Sequence, residues 1–402
     1  MAIELSDLTF TDEDDIVPAS GVEEILNTGV ANTLAGNDRI TGVGTAGGRY
    51  GLSNSGTLNT AEGNDRITGT YNQTQDSLFG GIGIWNGGSI DTDDGNDIIT
   101  GNTTTGLGNG IANGGSINTG NGNDIITGTA YNSTDEYYAG FNTSGDFNTG
   151  DGNDIITGVG QVGISHYGNY YQGYFNDFTT GEGNDIIMGI GMNVGFVNYS
   201  GSISTGGGND IIIGIGGSVG LDNSHNGNAG GYISTDEGDD IIIGSGNIGI
   251  RISAGGYIDT GSGNDSIMAD NFFIHTDSTI NTGDGKDIIT SSNGIENDGT
   301  INTGNGADSI IANGGFDGTG SVFLGNGKDY LNGFGTGNFN GGKNEDTLEL
   351  TSGSYTIGIS GTTVSFTKSG VIMQTSEFEK LIAGSTTYNF TTLMDGQTIV
   401  VA

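Results

Sequence analysis

Thr119-Gly-Asn-Gly-Asn-Asp-Ile-Ile-Thr-Gly128 is the stretch on which the fold turns. Its pattern, Thr-Gly-x-Gly-Asn-Asp-x-Ile-x-Gly, returns about twelve times along the chain, as expected of a protein built from repeated coils. The aspartates stand at Asp38, Asp65, Asp97, Asp124, Asp154, Asp185, Asp210, Asp240, Asp265, Asp287, Asp308 and Asp329, spaced 21 to 32 residues apart. Asp346 lies in a decayed further copy. A period of that length predicts a solenoid in which each repeat is one coil stacked on the last. Stacking the coils stacks the aspartates, so the repeat itself builds a column of carboxylates.

The insertion-free repeat from Gly294 to Ala312 shows three apolar positions, Ile295, Ile301 and Ile310, each flanked by polar or small residues. Short alternation with Gly and Asn between is the pattern of brief strands joined by tight turns. The same three positions run through the other repeats. One column follows the aspartate by two residues (Ile40, Ile67, Ile99 and onward to Leu331), and one precedes it by seven (Leu58, Ile90, Ile117 and onward to Val322). A less regular third includes Leu52, Phe141, Phe196, Leu221 and Ile250. Three inward ladders predict an all-β chain: a parallel β-helix or β-roll solenoid of about twelve coils, roughly triangular in section, with a small C-terminal β cap. A threonine stands five residues before most of the aspartates (Thr33, Thr60, Thr92, Thr119 and onward), and its hydroxyl is expected to bond along the stack or cap the turn. The alternative for that column is an exposed ice-binding array.

Composition sets the limits. The chain has 402 residues, 82 Gly, one Pro, no Cys and a net charge of −39. Abundant Ile with so little Pro argues against a disordered Gly-rich linker. The charge opposes compaction unless cations neutralise it, and it disfavours nucleic acid and anionic membranes as partners. No apolar run is long enough for a transmembrane segment. Met1 to Val17 reads acidic and mixed, with no cleavable signal peptide visible, which fits either a cytoplasmic protein or one exported by a route that needs no cleaved leader.

The turn carries the chemistry. Two glycines and an asparagine within six residues turn carbonyl oxygens outward, and the aspartate adds a carboxylate. An all-oxygen donor set suits a hard cation, calcium more readily than magnesium. The segment Thr119–Thr127 resembles the RTX (haemolysin-type) nonapeptide Gly-Gly-x-Gly-x-Asp-x-U-x, U being a large apolar residue, with Thr in place of the first Gly. The likeness recurs at Thr149–Thr157, Thr180–Met188, Thr205–Ile213, Thr260–Met268, Thr282–Thr290 and Thr303–Ile311. It implies calcium ligation by the motif aspartates and by backbone carbonyls of the turn glycines, Gly120 and Gly122, Gly150 and Gly152, Gly181 and Gly183, Gly206 and Gly208, Gly261 and Gly263. It also implies folding driven by calcium. RTX rolls carry two nonapeptides per coil and this chain one, alternating with a Gly-Φ-x-Asn-x-Gly-Ser/Thr segment (Φ apolar) that resembles β-helix coils of surface adhesins. Calcium is therefore expected along one edge only. Some turns depart: Ala35 and Ala61 read as replacing the second Gly, Asp93-Asp94 and Asp236-Glu237 add charge, and Lys286 and Lys328 bring a cation beside Asp287 and Asp329. The other reading of the column is a metal-free ladder of hydrogen-bonded Asn-Asp turns.

Three regions follow: an N-terminal cap over 1–26, the solenoid over 27–346, and a cap over 347–402. The last region alternates as antiparallel strands and resembles the C-terminal part of cyanobacterial RTX-like proteins, which implies a type I secretion signal. Tyr-rich insertions (Tyr131, Tyr137, Tyr138; His166, Tyr167, Tyr170, Tyr171, Tyr174) offer stacking surfaces for sugars or a protein partner, or simply pack together. Trp85 reads as packing. The histidines, His166, His225 and His275, read as loop residues, and neither a nucleophile motif nor a cofactor fingerprint is present. The sequence thus points to a non-enzymatic, secreted or cell-surface calcium-binding repeat protein with a structural, adhesive or matrix role, its partner a surface polysaccharide or another surface protein. The alternative is a carbohydrate-active or carbohydrate-binding β-helix using the tyrosines.

Overall fold

The structure, a computed structural model, describes residues 2–402 apart from 19–21, 45–47, 73–79, 105–107, 132–137, 169–175 and 225–229. It divides into two compact units, Met1–Asp222 and Asn223–Ala402. Both are parallel β-solenoids.

In the first unit each coil holds three strands. One precedes the turn (Thr57–Asn59, Ser89–Asp91, Ser116–Asn118), one follows it (Arg66–Tyr71, Ile98–Thr103, Ile125–Ala130), and a third closes the coil (Tyr50–Asn54, Ile82–Asn86, Ile111–Asn113). Like strands pair in parallel and in register. Ile90 lies opposite Leu58 and Ile117, Ile99 opposite Ile67 and Ile126, and Ile84 opposite Leu52 and Ile111. These side chains are 0–1% exposed, and each contributes about 1.5–3 kcal/mol by leaving water.

The section is not an open triangle. In the first unit, four residues after each motif aspartate, a glycine meets the backbone of the closing strand. A Cβ on Gly101 would stand 2.3 Å from the Gly110 carbonyl oxygen, and one on Gly128 2.2 Å from that of Gly140. The coil is pinched there to the thickness of two backbones, which explains the last letter of the repeat.

The asparagine of the Gly-Φ-x-Asn segment also points inward. Asn27 donates to Asn54, Asn54 to Asn86, and Asn86 to Asn113, each at 2.8 Å and buried. This ladder settles amide groups that would otherwise cost free energy inside the coil. Two coils on, His166 takes the same register position, between Thr143 and Asn198. His166 is therefore a fully buried strand residue rather than a loop residue, and burial pushes its imidazole down to about 4. His275 is exposed, and His225 lies outside the described residues.

The described strands within residues 1–26, expected to cap the stack, pair onto it in parallel as a further coil would. Ile3–Glu4 pairs in parallel with Ile25–Leu26, and Ile16–Val17 with Arg39–Ile40.

In the second unit the coils shorten and lose their insertions. Ile267 lies opposite Ile242 and Ile289, and Ile280 opposite Ile258 and Ile301. The turns themselves pair here, Asp284–Gly285 with Asn305–Gly306 and then Asn326–Gly327. The C-terminal strands close the stack in two ways. Lys380–Ala383 adds a parallel strand to Thr347–Leu350, and Met373–Ser376 one to Gly337–Asn340. Antiparallel pairing of Gly353–Ser360, Thr363–Lys368, Val371–Ser376 and Thr398–Val401 then covers the edge around buried Tyr355, Phe366 and Met373.

Candidate metal centre

The turn needs two unusual backbone conformations. Four residues before the aspartate the chain is left-handed, with φ of 79° at Gly120, 82° at Gly150, 91° at Gly181, 80° at Gly206 and 85° at Gly261. Leu34, Ala61, Asp93 and Asp236 hold the same place with φ near 60°. Leu34, not Ala35, thus replaces the glycine in the first full turn, and Ala35 faces solvent. Two residues before the aspartate φ is 150° at Gly122, 154° at Gly152, 142° at Gly183, 133° at Gly208 and 144° at Gly263, a region closed to side-chain-bearing residues. The stack adds a second reason for glycine. A Cβ on Gly122 would lie 1.5 Å from the Gly95 carbonyl oxygen, and one on Gly152 1.5 Å from that of Gly122. Glycine carbonyls therefore run in a column along this edge.

The motif aspartates point inward from the turn, every one of them at most 2% exposed. Each uses one oxygen to hold the neighbouring coil. The backbone N–H of Asp97 donates to Asp124 Oδ1, that of Asp124 to Asp154 Oδ1, and that of Asp154 to Asp185 Oδ1, all at 2.8 Å. In the second unit Asp265, Asp287, Asp308 and Asp329 donate in the same way, the last to Asp346 Oδ1 at 2.9 Å. Asp346 is thus a full member of the column, not a decayed one. The first motif aspartate of the first unit and the last of the second each meet a group that the repeat pattern did not single out. Asp15 N–H donates to Asp38 Oδ1 at 2.8 Å, and Glu379 Oε2 accepts from Asp346 N–H at 2.7 Å.

The second oxygen is the informative one. Oδ2 of Asp38, Asp65, Asp97, Asp124, Asp154, Asp185, Asp265, Asp287, Asp308, Asp329 and Asp346 is buried and receives no hydrogen bond. For all of these but Asp329 and Asp346, a threonine five residues earlier is buried beside the carboxylate and eases its charge. Its own hydrogen bond, however, runs to the next coil's threonine carbonyl, as from Thr92 to Thr119 at 3.3 Å. A buried column of these threonines offers no face to ice. Burial, with smaller contributions from adjacent aspartates, lifts Asp97, Asp154, Asp265, Asp308 and Asp346 to about 7. It lifts Asp65, Asp124, Asp185 and Asp329 to about 6, and raises Asp38 and Asp287 as well.

An orphaned buried carboxylate oxygen at each of these eleven aspartates calls for a proton or a cation. Among the described residues no three His, Cys, Asp or Glu side chains come close enough to hold a metal by themselves. A cation on this edge would accordingly take most of its ligands from the glycine-turn carbonyls, with carboxylates completing an all-oxygen shell. That donor set fits calcium, which accepts six to eight oxygens in loose geometry. Lys286 and Lys328 do not supply the missing charge: both are exposed, on the outer side of the turn, where Asn37, Asn64, Asn96 and Asn123 form their own ladder.

The aromatic insertions are less informative. Tyr131 is 56% exposed, Tyr138 half-buried, and Tyr137, Tyr170, Tyr171 and Tyr174 lie outside the described residues. Tyr167 stacks on Tyr199 at 4.9 Å, and Trp85 packs on Tyr50 at 5.7 Å. No helix among the described residues is long and apolar enough to cross a membrane.

One solved structure is similar to this chain. A Ca2+-dependent, hyperactive β-helical antifreeze protein from an Antarctic bacterium, known from an X-ray crystal structure, is 21% identical over 82% of each chain, with a TM-score of 0.44. A likeness at that distance brings neither ligand nor activity to this chain. No protein-family model matches the sequence, and no curated protein does.

Proposed function

We propose that this protein is a calcium-binding β-solenoid of RTX-like character, working outside the cell or on its surface in a structural, adhesive or matrix role. The observation that carries the reading is the row of buried Oδ2 atoms without hydrogen-bond donors. At neutral pH such a row is costly unless positive charge enters it, and a carbonyl column lies on the same edge. Calcium binding would then be folding free energy, since the stacked turns do not exist in the unfolded chain. A strongly anionic chain kept extended where calcium is scarce, and folded where it is plentiful, suits export and assembly outside.

Equilibrium dialysis of chelator-stripped protein against calcium, and separately against magnesium, tests this. We expect on the order of ten calcium ions per chain and far less magnesium. Asp124→Asn removes one or two of them, because ions seated between coils share its carboxylate. Uptake of fewer than about three calcium ions, or equal uptake of both metals, would contradict the reading.

A further inference from the structure

The second unit carries a groove that the aspartate column does not use. Its volume is about 910 Å³, and it runs along the coils between residues 271 and 336 beneath the turn of the hairpin Thr363–Ser376. Glycine makes the room. The corners at Gly294, Gly314 and Gly335 lack side chains because a Cβ on Gly314 would lie 1.5 Å from the Asn293 carbonyl oxygen, and one on Gly335 1.7 Å from that of Phe316. Rings of Phe273, Phe316 and Phe334 border the bare corners. Polar side chains then line the groove at successive coils. Asn293, Asn313 and Glu296 are exposed, and half-buried Asn271 lies in the same wall, its amide nitrogen donating to the Asn247 carbonyl.

Hydrogen-bonding capacity decides what fits. The amides of Asn293 and Asn313 each offer donors and acceptors, and Glu296 offers acceptors. An anionic ligand would meet Glu296 and Asp317 on a chain of net charge −39. A cationic one would leave the amide donors unserved and meet Lys368 overhead. The Lys368 ammonium is itself already engaged, donating to the Ser352 carbonyl at 2.8 Å and lying over the Phe334 and Tyr355 rings. A chain of neutral hydroxyl groups with apolar C–H faces satisfies both the mixed polar rim and the rings.

We propose that this groove binds a neutral oligosaccharide chain, its sugar hydroxyls on Asn293, Asn313 and Glu296 and a ring face on Phe273. The proposal is independent of the aspartate column, and it is tested with the full chain kept in calcium. Titration calorimetry would use three neutral probes, the hexaoses of β-1,4-glucose, β-1,4-N-acetylglucosamine and α-1,4-glucose, with polygalacturonate and polylysine as charged controls. At least one neutral hexaose is expected to bind, with little dependence on salt. Asn313→Ala and Glu296→Ala, both exposed and remote from the coil interior, should each weaken it about tenfold, the worth of one hydrogen bond to a polar ligand. Tyr170→Ala with Tyr171→Ala should leave it unchanged. Failure of all three neutral probes, binding of a charged control alone, or binding that survives the groove substitutions and is lost with the tyrosines would each overturn the proposal.

Discussion

Single residues decide whether one coil can lie on the next. Gly122 has both a backbone angle and a neighbouring carbonyl that forbid a side chain, so Gly122→Ala should cost about 3 kcal/mol or more and shift the neighbouring coils. Ala61 and Leu34 sit at left-handed positions that glycine fills elsewhere, with φ of 59° and 66°. Ala61→Gly and Leu34→Gly should therefore stabilise the calcium-loaded protein by about 0.5–1 kcal/mol each, read as a raised thermal midpoint. A lowered midpoint in both would mean that the turn is not the limiting conformation. The regular glycines were legible in the sequence because they repeat at fixed offsets from an aspartate. Leu34 was not, because Ala35 beside it is the smaller residue and a one-residue shift is invisible without backbone angles.

At the scale of the strand and turn, the aspartate column behaves as one titrating element. Nine of its carboxyls, Asp97 and Asp124 among them, rise from an ordinary 3.8 to about 6 or 7 in the fold, chiefly through burial, so between those values the folded chain holds more protons than the unfolded one. Stability then falls as pH rises. Without metal the contribution is fully present below about pH 4 and is lost as pH climbs through 6 to 7. Thermal melts in chelator should accordingly give a lower midpoint at pH 8 than at pH 5. Saturating calcium should remove or reverse that difference, because the ion competes with the proton for the same oxygens. A chelated protein more stable at pH 8 would contradict the buried column. The strands themselves were plain from the three apolar columns. The pinch at Gly101 and Gly110, and the ladder terminators Asp15 and Glu379, were not, since each depends on which segment a residue meets across the coil.

For the whole molecule the questions are charge and closure. A net charge of −39 on 402 residues favours the extended chain until cations enter, and the open face of the last coil invites pairing with another chain. Removing residues 353–402 would bare the strands Gly337–Asn340 and Thr347–Leu350 and the groups that Glu379 satisfies. That truncation should associate through its edge, seen as a rise in mass by light scattering in calcium, while the full chain stays at its own mass. A truncated chain that remained monomeric and folded would show that the cap does not protect the edge. The C-terminal strands were readable as a cap from their change of alternation. Their parallel continuation of both stacks was not, because strand direction is set by contacts distant in sequence.

The most direct test is circular dichroism of the chelator-stripped protein at pH 8 during titration with calcium, with magnesium as control. The account predicts a weakly structured chain that gains β signal cooperatively with calcium alone. A spectrum fully β in chelator, and indifferent to calcium, would contradict it.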